Sequence, residues 1–250
     1  MEKPTTAALA GCAVAALLLL GGLGPGRAVA QGVGPVVAED ERDPFEDEAA
    51  EEVKPIPDPV SPVNRAFFTF NDKLYFWVLR PVATGYSYVV PEIARVGVRN
   101  FFDNVATPVR VVSCLTQGNL EGTGVVLARF GVNTTVGLAG LADPAKGWLD
   151  LEAREEDFGQ TLGVWGLGPG LYLNWPVVGP SSLRDTLAFP VNAGLDPMTY
   201  VPGVGFLRTV NNTSLRLGEY EQLKASALDP YIAVRDAYNQ HRRHAIQTRK

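Results

Sequence analysis

Residues 155–185, EEDFGQTLGVWGLGPGLYLNWPVVGPSSLRD, constrain this chain more than any other stretch. Glu155, Glu156 and Asp157 stand where the first turn of a helix favours negative charge. Phe158, Leu162 and Trp165 follow at i, i+4 and i+7 and place one apolar stripe along that helix. Gly159 and Gly163 lie beside the stripe and predict close approach of a second backbone, since glycine costs about 1 kcal/mol relative to alanine inside a helix. Gly166, Gly168, Pro169 and Gly170 end the helix. A short apolar connector, Leu171 to Pro176, leads to Gly179-Pro180, and Ser181 or Ser182 caps a second helix that opens on Leu183, Arg184 and Asp185. The predicted unit is helix, glycine hinge, connector, helix.

The rest of the body reads as further short helices. One spans Asn64 to about Leu79, with Phe67, Phe70, Leu74 and Trp77 on a stripe that Phe68, Tyr75, Phe76 and Val78 widen beyond an ordinary core face. Such a helix can be buried in a core or lie in a membrane interface. Helices follow from Pro91-Glu92, from Val109 to Gln117 behind Thr107-Pro108, and from Asn119. Residues 133–141 read as a flexible small-residue passage before Asp143-Pro144, and Pro190 to Phe206 as mostly loop. A helix from Thr213 or Ser214 to Ala227 precedes a last one capped by Asp229, with Tyr231, Val234 and Tyr238 on one face and cations at its end.

The N-terminus has export character. Lys3 precedes an apolar run from Ala7 to Leu23, and Ala28-Val29-Ala30 offers a small-residue cleavage pattern before Gln31, so residues 1–30 are expected to be a cleaved signal peptide. Leu9-Ala10-Gly11-Cys12 has the form of a lipobox, but most of the leucines follow Cys12, which favours cleavage after Ala30. Residues 31–60 hold ten acidic and two basic side chains, a balance of −8, and are rich in proline. Such a segment cannot bury enough apolar surface to order itself, so residues 31–57 are expected to be a disordered tether. The whole chain carries −5 and residues 1–30 carry +1, which leaves residues 61–250 at +2 and without a basic patch. That excludes a nucleic-acid partner as the working reading. Outside the signal no run reaches the ~20 apolar residues of a membrane span, and no barrel alternation recurs.

Catalytic chemistry has little to stand on. There is no Gly-x-Ser-x-Gly elbow and no phosphate-binding glycine loop, and both histidines, His241 and His244, lie near the end of the chain. Neither an enzymatic activity nor a metal or cofactor is expected.

The wording EEDFGQTLGVWGLGPGLYL with GPSSLRD resembles the VacJ/MlaA family of Gram-negative envelope proteins. Further blocks match in order: Asp58-Pro59 with Asn64-Arg65, FNDKL from Phe70, RPVATGY from Arg80, VPEIARVGVRNFFDN from Val90 and DPYIAVRDAY from Asp229. The resemblance implies a mainly α, single domain over residues 58–245, followed by a basic tail at 246–250. Its short amphipathic helices would form a ring lying in one leaflet of the outer membrane, on the periplasmic side, and enclosing a polar channel. It implies removal of mislocalised phospholipid from the outer leaflet, with phospholipids, a trimeric porin and a periplasmic lipid carrier as partners. On this reading Asn64, Arg65, Asn71, Asp72, Arg184 and Asp185 are candidates for the channel or its gate, and Gly166, Gly168 and Gly170 for a hinge. Phe67, Phe70, Leu74 and Trp77 are candidates for membrane or porin contact. A soluble periplasmic lipid-binding module is the alternative.

Overall fold

The computed structural model describes residues 55–248; the expected signal peptide and nearly all of the expected acidic tether lie outside the described residues. The chain is mainly helical. Helix α1 (Ser61–Leu74) passes through a single π turn (Tyr75–Leu79) into α2 (Arg80–Val89). The sequence placed a stop at Leu79, but the Arg80 amide reaches back to the Tyr75 carbonyl, a five-residue step that carries the ladder past Pro81, which has no N–H to give. Then come α3 (Glu92–Val105), α4 (Thr107–Thr116), α5 (Leu120–Thr135) and the short α6 (Pro144–Leu149). Asn119 caps α5 as expected, accepting from the Gly122 amide at 2.7 Å. The passage after α5 is a built turn. Asn133 is buried, donates to Asp143 at 2.9 Å and accepts from the Ala145 amide at 3.1 Å, while Leu138, Ala139 and Gly140 take positive φ.

The central unit departs from its predicted form in two places. Glu155 and Glu156 precede α7 (Phe158–Val164) instead of occupying its first turn, and Asp157 is the cap, accepting from the Gln160 amide at 2.9 Å. The connector is a β-hairpin. Strand β1 (Tyr172–Trp175) pairs antiparallel with β2 (Gly179–Ser182), Tyr172 facing Ser182 and Trp175 facing Gly179. Val177 and Gly179 supply the positive φ values of +69° and +90° that the turn needs. Four-residue strands are too short for a period-2 pattern to stand out, which is why the sequence did not betray them.

Ser182 then caps α8 (Leu183–Leu195) through the Asp185 amide at 3.2 Å. The expected loop from Pro190 to Phe206 is instead the end of α8, a 3₁₀ turn (Pro197–Tyr200) and the start of α9 (Val204–Ser214). Pro190 forfeits one ladder hydrogen bond but sits within a helix anchored two residues earlier by the fully buried Ala188. The next helix, α10 (Glu219–Ser226), starts later than predicted because Gly218, at φ +96°, breaks the chain there. Asp229 caps α11 (Pro230–Gln247) through the Tyr231 and Ile232 amides, as the sequence indicated.

The apolar core is small. Ile56, Tyr172 and Tyr231 are buried together, with Phe68 and Tyr238 against them. Tyr172 meets Tyr231 and Tyr238 edge to face at 6.0 and 6.2 Å. Ile56 was assigned to the tether by composition, yet it is only 3% exposed. Much of the remaining interior is polar, and several of the largest apolar side chains point outward: Trp77, Tyr88, Ile93 and Trp148 are each more than two-thirds exposed. No helix among the described residues is long and apolar enough to cross a membrane.

The paired glycines of α7 face close neighbours, but these are the side chains of Asp185, Arg242, Arg184 and Ile246 and not the second backbone that the spacing predicts. A β-carbon on Gly159 would lie 2.5 Å from Asp185 Oδ1 and 2.7 Å from Arg242 Nη2, whereas one on Gly168 would meet open space. Gly159→Ala is therefore expected to cost about 2–3 kcal/mol by overpacking, and Gly168→Ala to stay within about 0.5 kcal/mol. Paired urea melts decide it, and equal costs at the two positions would refute the close-approach argument.

Candidate functional site

Two polar assemblies are built on this frame: a set of clasps that fixes the hairpin and the last helix, and a charged cavity.

The clasps use the residues singled out as channel or gate candidates. Asn64 and Asn71 are seven apart and so share one face of α1, against the hairpin. Asn64 is buried, donates to the Tyr172 carbonyl at 2.9 Å and to Asp58 at 2.7 Å, and accepts from the Asn174 amide at 2.9 Å. Asn71 donates to the Trp175 carbonyl at 2.9 Å and accepts from the Val177 amide at 2.7 Å. Each carboxamide thus substitutes for a peptide group, and the two together act as a third strand beside β1. Arg65 pairs with Asp229 at 2.7 Å and lies 4.4 Å over the Tyr231 ring. Asp72 takes Lys224 at 2.7 Å and the Tyr220 hydroxyl at 2.9 Å.

Arg184 and Asp185 belong to a buried charge network. Arg184, 5% exposed, donates to Asp185 at 2.9 Å, and the Tyr238 hydroxyl donates to the same carboxylate. Arg242 from α11 lies 2.7 Å from Asp185 and donates to both oxygens of Asp157 at 2.6 and 2.9 Å. Arg242 is one of the cations expected at the end of α11, and because α11 packs along α7 its guanidinium is carried inward to a partner beyond the helix dipole. Burial works against the Asp157 carboxylate, but the Arg242 hydrogen bonds outweigh it and hold its pKa below the usual range.

Gly166 and Gly170, at φ +90° and +70°, form the turn from α7 into β1 with Gly168 between them. Phe70 and Trp77 are exposed and Phe67 and Leu74 half-buried, so α1 buries no apolar side chain fully; Asn64 alone is buried on it.

The cavity, about 380 Å³ and open on one side, is lined by other residues. Helix α3 contributes Arg99 and Asp103, α4 contributes Val109 and Arg110, and the extended segment before α7 contributes Glu155, Glu156 and Asp157. The opposite wall carries Phe189 and Asn192 of α8, Asp196 just after it, Arg208 and Asn212 of α9, and Arg216. Four arginines and five carboxylates thus face one space. Most are matched: Arg110 with Asp103 at 3.2 Å, Arg208 with Asp196 at 3.1 Å, and Asp157 with Arg242. Glu156 is 7% exposed and accepts from Gln117 at 2.9 Å; burial pushes its carboxyl above the usual range. A half-open, charge-lined space of this size can receive a polar or ionic group from its open side and solvate it with fixed charges.

None of the cavity arginines was picked out from the sequence. A signal was present: Arg95, Arg99 and Asp103 recur every four residues along α3, as do Arg208, Asn212 and Arg216 along α9 and just past its end. In a helix of a water-soluble protein such a stripe faces solvent, and only the packing turns it inward.

A family model described as MlaA lipoprotein matches residues 56–245. The Escherichia coli (strain K12) protein named intermembrane phospholipid transport system lipoprotein MlaA is 34% identical over 191 residues, covering 73% of this chain and 76% of that protein. An uncharacterized Rickettsia felis protein is 34% identical over 197 residues, 76% of this chain and 78% of its own length. A solved structure described as "Structural basis for maintenance of bacterial outer membrane lipid asymmetry" matches with a TM-score of 0.67 and 31% identity, over 76% of this chain and 98% of that one.

Proposed function

The chain belongs to the MlaA lipoprotein family, and from that premise we propose that it moves phospholipid between the outer and inner membranes of a bacterial envelope, maintaining the lipid asymmetry of the outer membrane. Its charged cavity serves as the polar passage for the headgroup. One observation carries this reading: nine charged residues line a single half-open cavity, while tryptophan, tyrosine and isoleucine side chains stand exposed elsewhere on the surface. Exposed apolar side chains on helices of which none, among the described residues, is long and apolar enough to cross a membrane fit a body seated within one leaflet. The headgroup needs polar partners inside, while each acyl CH₂ kept out of water is worth about 0.8 kcal/mol.

The placement in the inner leaflet of the outer membrane, with Phe70 and Trp77 at its lipid or porin contact, belongs to the same proposal. So do export by residues 1–30, a trimeric porin as neighbour and a soluble periplasmic carrier as recipient. Transport, with no bond made or broken, is the activity.

The test is fractionation of cells making the full chain, with mass spectrometry of the mature N-terminus. A chain beginning at Gln31 that stays with outer membranes through salt and carbonate washing supports the seated body. Release of that chain into the periplasmic fraction overturns it in favour of a soluble lipid-binding module.

A further inference from the structure

Two charges in the cavity have no counterpart. Among the described residues, neither Arg99 nor Glu155 makes an ion pair or a side-chain hydrogen bond, and none joins them to each other, although both face the same space. Arg110 is engaged by Asp103, Arg208 by Asp196, Asp157 by Arg242 and Glu156 by Gln117. Glu155 is exposed at the cavity opening and Arg99 is half-buried beside it, so both charges are accessible to a ligand that enters with the opposite polarity pattern. The protein around the cavity pushes the Glu155 carboxyl upward by desolvation, with Arg110 pulling the other way, although the side chain itself keeps contact with solvent.

We propose that Arg99 and Glu155 are a two-point seat for a zwitterionic phosphodiester headgroup, with Arg99 taking the phosphate oxygens and Glu155 the ammonium. The inference rests on the reading of the cavity as a phospholipid passage and adds a headgroup class to it. Arg99 offers the planar fork that suits phosphate, and Glu155 offers an acceptor-only group suited to a primary ammonium. A headgroup with phosphate but no cation leaves Glu155 unpaired and adds a like charge near it, so discrimination comes from repulsion as well as attraction. The matched pairs around the seat keep the remaining lining from competing for the ligand. The seat sits on α3 and on the extended segment before α7, two elements joined to the frame by Asp103, Arg110 and the Asp157 cap.

The experiment uses the full chain in maltoside micelles, titrated by calorimetry with short-chain phosphatidylethanolamine, short-chain phosphatidylglycerol and water-soluble glycerophosphoethanolamine. The wild type is expected to bind the ethanolamine lipid about tenfold more tightly than the glycerol lipid. Glu155→Gln should erase that ratio mainly by weakening the ethanolamine lipid, Glu155→Lys should invert it, and Arg99→Gln should weaken both lipids about tenfold. Unchanged melting temperatures keep these losses from being unfolding. If both lipids bind the wild type equally and Glu155→Gln leaves the ratio alone, the seat is overturned while the passage stands. If neither lipid binds but glycerophosphoethanolamine does, with the same loss in Glu155→Gln, the seat holds a soluble phosphodiester and the passage reading fails. Absence of binding by all three overturns both.

Discussion

Arg242→Ala is expected to destabilise the folded body by about 3 kcal/mol, because it strands two carboxylates that the fold has already withdrawn from water. The side chain of Arg242 is 12% exposed and that of Asp185 13%, so little solvent remains to compensate the loss. Asp157, at 31%, is more open and moderates the effect. For a domain of this size the change corresponds to a melting shift of about 6–12 °C. Arg242→Lys keeps the charge but not the fork that bridges both oxygens of Asp157, and should fall between the two. The pH dependence follows from the depressed Asp157 carboxyl. A carboxyl lowered in the folded state contributes stability that is present above its unfolded pKa and is lost as pH falls through the folded one. Removing Arg242 removes that contribution, so acid unfolding of the variant should begin at a higher pH than in the wild type. A loss below about 1 kcal/mol, the range of exposed pairs, with an unchanged acid limb would show that the network contributes no more than a surface salt bridge.

Asn64→Ala should cost about 3 kcal/mol, roughly 1 kcal/mol for each of three side-chain hydrogen bonds, and its signature should be local. The Asp58 carboxylate, the Tyr172 carbonyl and the Asn174 amide all lose their partner, and the last two belong to β1. Amide exchange at Asn174 is therefore expected to rise far more than exchange within α4 or α5. Asn71→Ala, at a partly exposed position with two bonds, should cost about 1–2 kcal/mol and loosen the turn around Val177 first. Uniform acceleration of exchange across all helices would mean that Asn64 supports the fold as a whole and not the hairpin.

The parts of this molecule that could be read in advance are those governed by local chemistry. Asn119, Ser182 and Asp229 cap the helices they precede, and the glycines after α7 end it, because each acts on residues within a few positions of itself. Fold class and family were legible for a different reason, since several ordered blocks of residues match at once. What escaped was set by distant partners. Tyr172 and Asn174 look like part of an apolar connector until Asn64, more than a hundred residues earlier, is brought alongside. Arg242 reads as a helix-terminal cation until α7 and α8 are placed against it. Pro190 reads as a break because the pattern cannot show that Ala188 is already buried. The cavity arginines were hidden by the same limit, as inward and outward polar stripes have one periodicity.

The small core built from Ile56, Tyr172 and Tyr231 also sets where this chain can complete its folding. A polypeptide whose largest aromatic side chains stay on the outside gains little from collapsing in water, and its exposed tryptophans make it prone to self-association on the way. On the proposed seating in one leaflet, the bilayer supplies the missing part of the hydrophobic driving force, and the native state belongs to protein and lipid jointly. With the body seated in a leaflet as proposed, the unfolding free energy measured for the chain should depend on the amphiphile that surrounds it.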